Sequence, residues 1–216
     1  GNGAVTIPVT GLVPRDYIAI VTYLGDNIYS INSTNVYFTV SKLPSQVNVS
    51  VESIHVLDSA NITVKVTDGA TGNVSVMLNH QNYTIELTNG EGYKLIPNLP
   101  ASLEPYLVEV TYLGNINYDK STNSTKFNVN KYQPAVIVDV ADIMVGQYAN
   151  ITIKVTGAAS VNATGEVSFV LDGKNHTVSI NNGIGNISIP NLGENQYVVS
   201  VIYYGNDVYM KSEGES

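Results

Sequence analysis

The sequence predicts an all-β protein, a tandem array of small two-layer sandwiches arranged as a rod, and three observations predict it. Apolar and polar residues alternate at period two over nearly the whole chain, in runs bounded by Gly, Asn and Pro. One stretch recurs three times: Tyr17-Ile-Ala-Ile-Val-Thr-Tyr-Leu-Gly-Asp-Asn-Ile-Tyr29, Tyr106-Leu-Val-Glu-Val-Thr-Tyr-Leu-Gly-Asn-Ile-Asn-Tyr118 and Tyr197-Val-Val-Ser-Val-Ile-Tyr-Tyr-Gly-Asn-Asp-Val-Tyr209. Its copies lie 89 and then 91 residues apart, which is a domain-sized period rather than a solenoid one.

The repeat divides the chain into residues 1–41, 42–130 and 131–216. In the middle unit strands are expected near 46–51, 61–66, 73–78, 82–87, 93–96, 105–113 and 125–130. Seven short strands in about 90 residues suit an immunoglobulin-like sandwich. The third unit repeats this order: Asn61-Ile-Thr-Val-Lys-Val66 matches Asn150-Ile-Thr-Ile-Lys-Val155, and Pro97-Asn98 matches Pro190-Asn191. Lys65 and Lys154 fall on the outer face of their strand, because Ile62, Val64 and Val66 point inward. Residues 1–41 hold only the last three strands of a unit, near 3–8, 16–24 and 35–40. The 131–216 unit is expected to lack its last strand, since it stops before the Phe-x-Val segment found at Phe38-Thr-Val40 and Phe127-Asn-Val129. The junctions Val40-Ser-Lys-Leu-Pro44 and Val129-Asn-Lys-Tyr-Gln-Pro134 are short and Pro-marked, which restricts hinging and favours the rod.

Composition removes several function classes. A net charge of −8 with only 10 Lys and Arg gives no basic surface for nucleic acid or anionic lipid. No apolar run reaches the roughly 20 residues that span a bilayer, so no membrane insertion is expected. The absence of cysteine excludes disulfides, thiolate metal sites and cysteine nucleophiles together.

The tyrosine that opens the sixth strand stands two positions before an inward residue, Ala19, Val108 or Val199. Tyr17, Tyr106 and Tyr197 therefore resemble the tyrosine corner of immunoglobulin-like sandwiches. Units ending in Tyr-Leu-Gly-Asn-x-x-Tyr and then Phe-x-Val resemble the bacterial Ig-like repeats of large cell-surface adhesin-like proteins, particularly those of methanogenic archaea. The resemblance covers the whole chain. It implies a disulfide-free stalk or spacer outside the cell, with neighbouring Ig-like domains of the same protein as its first partners.

Ten Asn-x-Ser/Thr sequons occur, at Asn32, Asn48, Asn61, Asn73, Asn82, Asn123, Asn150, Asn162, Asn175 and Asn186, where chance gives about four. They are candidate glycosylation sites, although outward Thr and Ser beside turn Asn generate the same pattern without a glycan. Gly1-Asn-Gly3 and Gly183-Ile-Gly185 read as hairpin turns rather than dinucleotide loops, since no helix follows. His55, His80 and His176 are scattered and read as solvated. Asp58, Asp68, Asp139 and Asp142 lack the dense acidic run of a calcium linker. No nucleophile, base and acid stand in a catalytic spacing, so neither an enzyme nor a cofactor is expected. A lysine isopeptide crosslink would need a buried amine, which outward lysines do not supply.

Two functions follow. The first is a structural segment of an extracellular stalk or filament. The alternative is a module that binds a carbohydrate or a surface protein, with Tyr93, Tyr148 and Tyr204 as its loose candidates. Residues 1–41 cannot close a sandwich, so their tyrosine strand is expected to expose an apolar face and unpaired backbone unless strand complementation covers it from outside residues 1–216. Residues 1–41 standing uncovered, or folding back onto the third unit, would count against that cover.

Overall fold

The structure, a computed structural model, describes residues 3–216. Every regular element among them is a strand. Compactness divides the chain into two units. One runs to Ser50 and takes in Thr63–Tyr93 and Val108–Thr125; the other is Val51–Ile62, Lys94–Leu107 and Lys126–Ser216. The division cuts across strands of the middle repeat.

Strands β1 (Arg15–Tyr23) and β2 (Asn32–Val40) form a two-stranded antiparallel sheet, with Tyr17 opposite Phe38 and Tyr23 opposite Asn32. Among the described residues they pair only with each other. The strand expected near 3–8 does not form, because no strand among the described residues lies alongside to hydrogen-bond it. Val5, Ile7 and Val9 are exposed in consequence. The single chain therefore leaves residues 15–40 uncovered, the first of the two arrangements that count against a covering strand. The second does not occur, for this hairpin does not join a sheet of the third repeat.

The middle repeat contains β3 (Val47–Ser50), β4 (Ile54–His55), β5 (Ala60–Val66), β6 (Gly72–Leu78), β7 (Gln81–Leu87), β8 (Glu91–Ile96), β9 (Tyr106–Tyr112), β10 (Ser121–Phe127) and β11 (Val129–Asn130). One sheet has the order β3-β5-β8 and another β10-β9-β6-β7. With the short β4 and β11 set aside, these are strands 1-2-5 and 7-6-3-4 of an immunoglobulin-like Greek key. β4 was not expected from the alternation: it exists because β11 pairs with it in parallel, Val129 opposite Ile54. The seventh strand also begins at Ser121, four residues before the expected start, since its polar first half carries no apolar alternation.

The third repeat contains β12 (Ala135–Val140), β13 (Ala149–Thr156), β14 (Gly165–Leu171), β15 (Lys174–Ile180), β16 (Ile184–Ile189), β17 (Ser200–Tyr203) and β18 (Ser212–Glu215). Its sheets, β12-β13-β16 and β15-β14-β17-β18, reproduce the same order. The expectation that this unit lacks its last strand is corrected: β18 occupies the first half of that position, with Ser212 opposite Tyr203 as Asn32 is opposite Tyr23. Sequence reading missed it because Ser-Glu-Gly-Glu has no apolar alternation.

The alternation is realised in the burial of β5 and β13, where Ile62, Val64, Val66, Ile151, Ile153 and Val155 are all buried and Lys65 and Lys154 face out. Each such side chain contributes roughly 1.5–3 kcal/mol relative to exposure. β7 and β8 meet in a two-residue turn, with Asn89 and Gly90 at φ 53° and 81°; Asn182 and Gly183 do the same between β15 and β16 at 52° and 83°. The glycines that follow, Gly92 and Gly185, serve a different end. A Cβ on either would lie within 3 Å of the neighbouring strand, against Ile85 or Ile180.

Candidate functional site

Two recurrent constellations hold each repeat together. The first is the corner. The Tyr17 hydroxyl donates to the Val13 carbonyl at 2.9 Å, Tyr106 to Pro100 at 2.9 Å and Tyr197 to Gly193 at 3.4 Å. The ring below it stacks on the Phe-x-Val phenylalanine, Tyr17 on Phe38 at 5.4 Å and Tyr106 on Phe127 at 5.7 Å. Tyr197 has no such phenylalanine.

The second is the loop after the sixth strand. A glycine at positive φ, Gly25, Gly114 or Gly205, turns the chain, and the next side chain caps it. Asn115 Oδ1 accepts from the Asn117 and Tyr118 N–H groups, Asn206 Oδ1 from Val208 and Tyr209, and Asp26 Oδ1 from Ile28 and Tyr29, all at 2.7–2.9 Å. The Tyr23 hydroxyl, with those two N–H groups, holds the Asp26 carboxyl below its ordinary range. The preceding lysine joins the lock, Lys42 Nζ donating to the Asn115 carbonyl at 2.7 Å and Lys131 Nζ to that of Asn206. Beneath the loop Tyr112 donates to Thr71 and Tyr203 to Thr164, and burial pushes both phenols up. These are structural bonds between backbone and side chain, with no reacting atom among them.

All ten sequon asparagines are exposed. Not all are equally free. Asn123 Nδ2 donates to the Val47 carbonyl at 2.9 Å and Asn162 Nδ2 to Asn182, so the nitrogen that would carry a sugar is engaged. Across β13 and β16 Asn150 lies opposite Ser188 and Asn186 opposite Thr152, and each asparagine accepts from the other sequon's hydroxyl: Ser188 Oγ to Asn150 Oδ1 at 2.6 Å, Thr152 Oγ1 to Asn186 Oδ1 at 2.9 Å. This pairing was invisible to a motif search, which does not know which strands are neighbours.

The other candidates do not converge. No three His, Cys, Asp or Glu side chains come together among the described residues. His80 sits in an exposed turn at φ 61°, but the expectation of three solvated histidines is corrected at His176. Its ring stacks on Phe169 at 5.1 Å and its Nε2 is shielded without a hydrogen-bond partner. The cause is its inward register opposite Phe169 on β14. His55 lies against Tyr132 at 4.5 Å. Lys65, exposed, pairs with Glu91 at 2.8 Å, which raises the amine and lowers the carboxyl. Tyr93, Tyr148 and Tyr204 are all exposed.

The third repeat has an open groove of about 630 Å³ between the Val140–Val145 and Leu192–Val199 segments, reaching Ser216.

No protein-family profile and no curated relative matches the chain. Among solved structures it is similar to fibronectin(III)-like modules of CbhA from Clostridium thermocellum, at 14% identity over 79% of this chain and 92% of that one, with a TM-score of 0.34. It is similar to a 1.5-MDa bacterial ice-binding adhesin, at 14% identity over 94% and 72%, TM-score 0.34. A chimeric titin Z1Z2 tandem gives 15% identity over 79% and 96%, TM-score 0.31. At these scores the fold class rests on the strand order alone, and that order defines tandem immunoglobulin-like β-sandwich repeats.

Proposed function

We propose that the chain is a structural segment of an extracellular, adhesin-like surface stalk or filament, in which 42–130 and 131–216 are successive domains and 15–40 belongs to a third. The observation that carries this reading is the thrice-repeated capped turn after the sixth strand, with no convergent chemistry beside it among the described residues. Side chains that recur are spent on internal hydrogen bonds, as expected where length and stiffness are the product. The segment is not an enzyme. Its immediate partners are neighbouring repeats, and the face of β1 and β2 is covered in the assembled protein by strands from outside residues 1–216. Sedimentation of the isolated chain tests that cover: self-association through the open hairpin is expected, and a dilute monomer with that face stably exposed overturns it.

Glycans coat the rod, beginning at Asn61 and Asn150. The intact mass of native material, followed by peptide mapping, checks the coat; ten unmodified sequons would sink it. The alternative, a module that binds a carbohydrate or surface protein, is favoured only by the exposed rings of Tyr93, Tyr148 and Tyr204. Saturable micromolar binding to one sugar on a glycan array would establish it.

A further inference from the structure

Two turns of the molecule are alike in sequence and backbone and unlike in how they are held. Asn89-Gly90 joins β7 to β8 and Asn182-Gly183 joins β15 to β16, each with both residues at positive φ. Each is closed by two backbone bonds: Thr88 and Glu91 exchange theirs at 2.8 and 3.1 Å, Asn181 and Ile184 at 3.0 and 3.1 Å. In each the glycine carbonyl accepts from the second strand of its repeat, Gly90 from Val66 N–H at 2.7 Å and Gly183 from Val155 N–H at 2.9 Å. Asn89 and Asn182 are both exposed.

Two further bonds hold the third-repeat turn alone. Gly183 N–H donates to the Ala163 carbonyl at 2.8 Å, and Asn162 Nδ2 donates to Asn182 Oδ1 at 2.5 Å. By the match of Ala70-Thr-Gly72 with Ala163-Thr-Gly165, the counterparts of Asn162 and Ala163 in the middle repeat are Gly69 and Ala70. Gly69 has no side chain to reach Asn89. Ala70 is drawn into a turn of its own, its N–H donating to the Thr67 carbonyl at 3.0 Å. The Gly90 N–H and the Asn89 carboxamide have no hydrogen-bond partner among the described residues.

An asparagine followed by glycine is open to attack on its own side chain, because no Cβ shields the glycine nitrogen. We propose that Asn89 is a site of spontaneous deamidation in the folded chain, and that Asn162 and Ala163 protect Asn182 from the same reaction. The Gly90 nitrogen bonds to Asn89 Cγ, the Cγ–Nδ2 bond breaks, and Nδ2 leaves as ammonia with the Gly90 amide proton. Water then opens the succinimide at either of its carbonyls, giving aspartate or isoaspartate with no oxidant or reductant. Attack requires the turn to open so that the carboxamide can swing onto the Gly90 nitrogen, and fewer bonds oppose that opening at Asn89 than at Asn182. Either product adds a negative charge to a chain already at −8. Aspartate tolerates the left-handed φ of the turn. Isoaspartate lengthens the backbone where the chain passes from β7 in the four-stranded sheet to β8 in the three-stranded one, and so loosens that connection.

The test is incubation of the whole chain in mildly alkaline buffer with peptide mapping at intervals. Asn89 is expected to convert roughly tenfold faster than Asn182 or more, the difference that one or two further bonds of ordinary strength make. A protein-isoaspartate methyltransferase is expected to label residue 89 first. The Asn162→Ala variant alters an exposed side chain, so it melts like the parent, and it speeds Asn182 by about threefold or more while leaving Asn89 unchanged. Equal rates at the two asparagines, conversion of Asn182 first, an Asn89 still intact when the free Leu-Thr-Asn-Gly-Glu-Gly peptide has fully converted, or an unaltered Asn182 rate in Asn162→Ala would each overturn the proposal.

Discussion

The hairpin of β1 and β2 and the pair β17 and β18 carry the same motif in the same register, yet they differ wholly in burial. Tyr23 is 46% exposed and Tyr203 0%; Tyr29 is 66% exposed and Tyr209 2%. The loop itself is indifferent to this, for Asp26 caps its turn as Asn206 does. The motif thus specifies a local turn, while the acceptors that fix its tyrosines, Thr164 for Tyr203 and Val161 for Tyr209, come from the segment between the second and third strands. Residues 15–40 have no such segment beside them. Local structure survives without the sandwich; packing energy does not.

The largest test of that difference is Tyr203→Ala against Tyr23→Ala. Losing the buried ring and its bond to Thr164 should cost about 3–5 kcal/mol, whereas the exposed ring should change stability by less than about 0.5 kcal/mol. Denaturant titration of both variants decides it, and equal losses would mean that the hairpin is packed in solution.

Gly157→Ala sharpens the comparison on the acceptor side. A Cβ there runs into the Tyr209 ring edge, so about 1–3 kcal/mol should be lost as the ring is displaced. The middle repeat has Asp68 at this place and only a half-buried Tyr118, whose hydroxyl donates to Asp68's carbonyl. Thermal melts in which Gly157→Ala is neutral would show that Tyr209 packs less tightly than described.

The corner bonds should matter less. Tyr106→Phe removes a 2.9 Å bond from a half-buried hydroxyl, for about 0.5–1.5 kcal/mol, and Tyr197→Phe removes a 3.4 Å bond for less. Paired melts that rank them the other way would refute a geometric reading of the corner.

The smallest effect is confined to the first hairpin, because only its loop is capped by an acid. Asp26's folded pKa is depressed, so its contribution is present above the unfolded value near 3.8 and is lost as pH falls through the lower folded value. Amide exchange of Ile28 and Tyr29 should rise there relative to the base-catalysed trend. The same amides at Val208 and Tyr209, capped by Asn206, should show no such step, and Asp26→Asn should abolish it.

The sequence by itself determined the repeat period, the inward register of Ile62, Val64 and Val66, the turn glycines and the tyrosines of the corner, because each is a local consequence of side-chain alternation or of backbone that only certain residues tolerate. It did not determine β4, β18 or the His176 environment. Those depend on which strand lies alongside: β4 exists through β11, β18 through the backbone of β17, and His176 turns inward opposite Phe169. The two reciprocal bonds of the Asn150 and Asn186 sequons are likewise decided by tertiary structure. Both are relations between segments distant in the chain, and spacing along one chain holds no record of which carbonyl or ring a fold brings to face them.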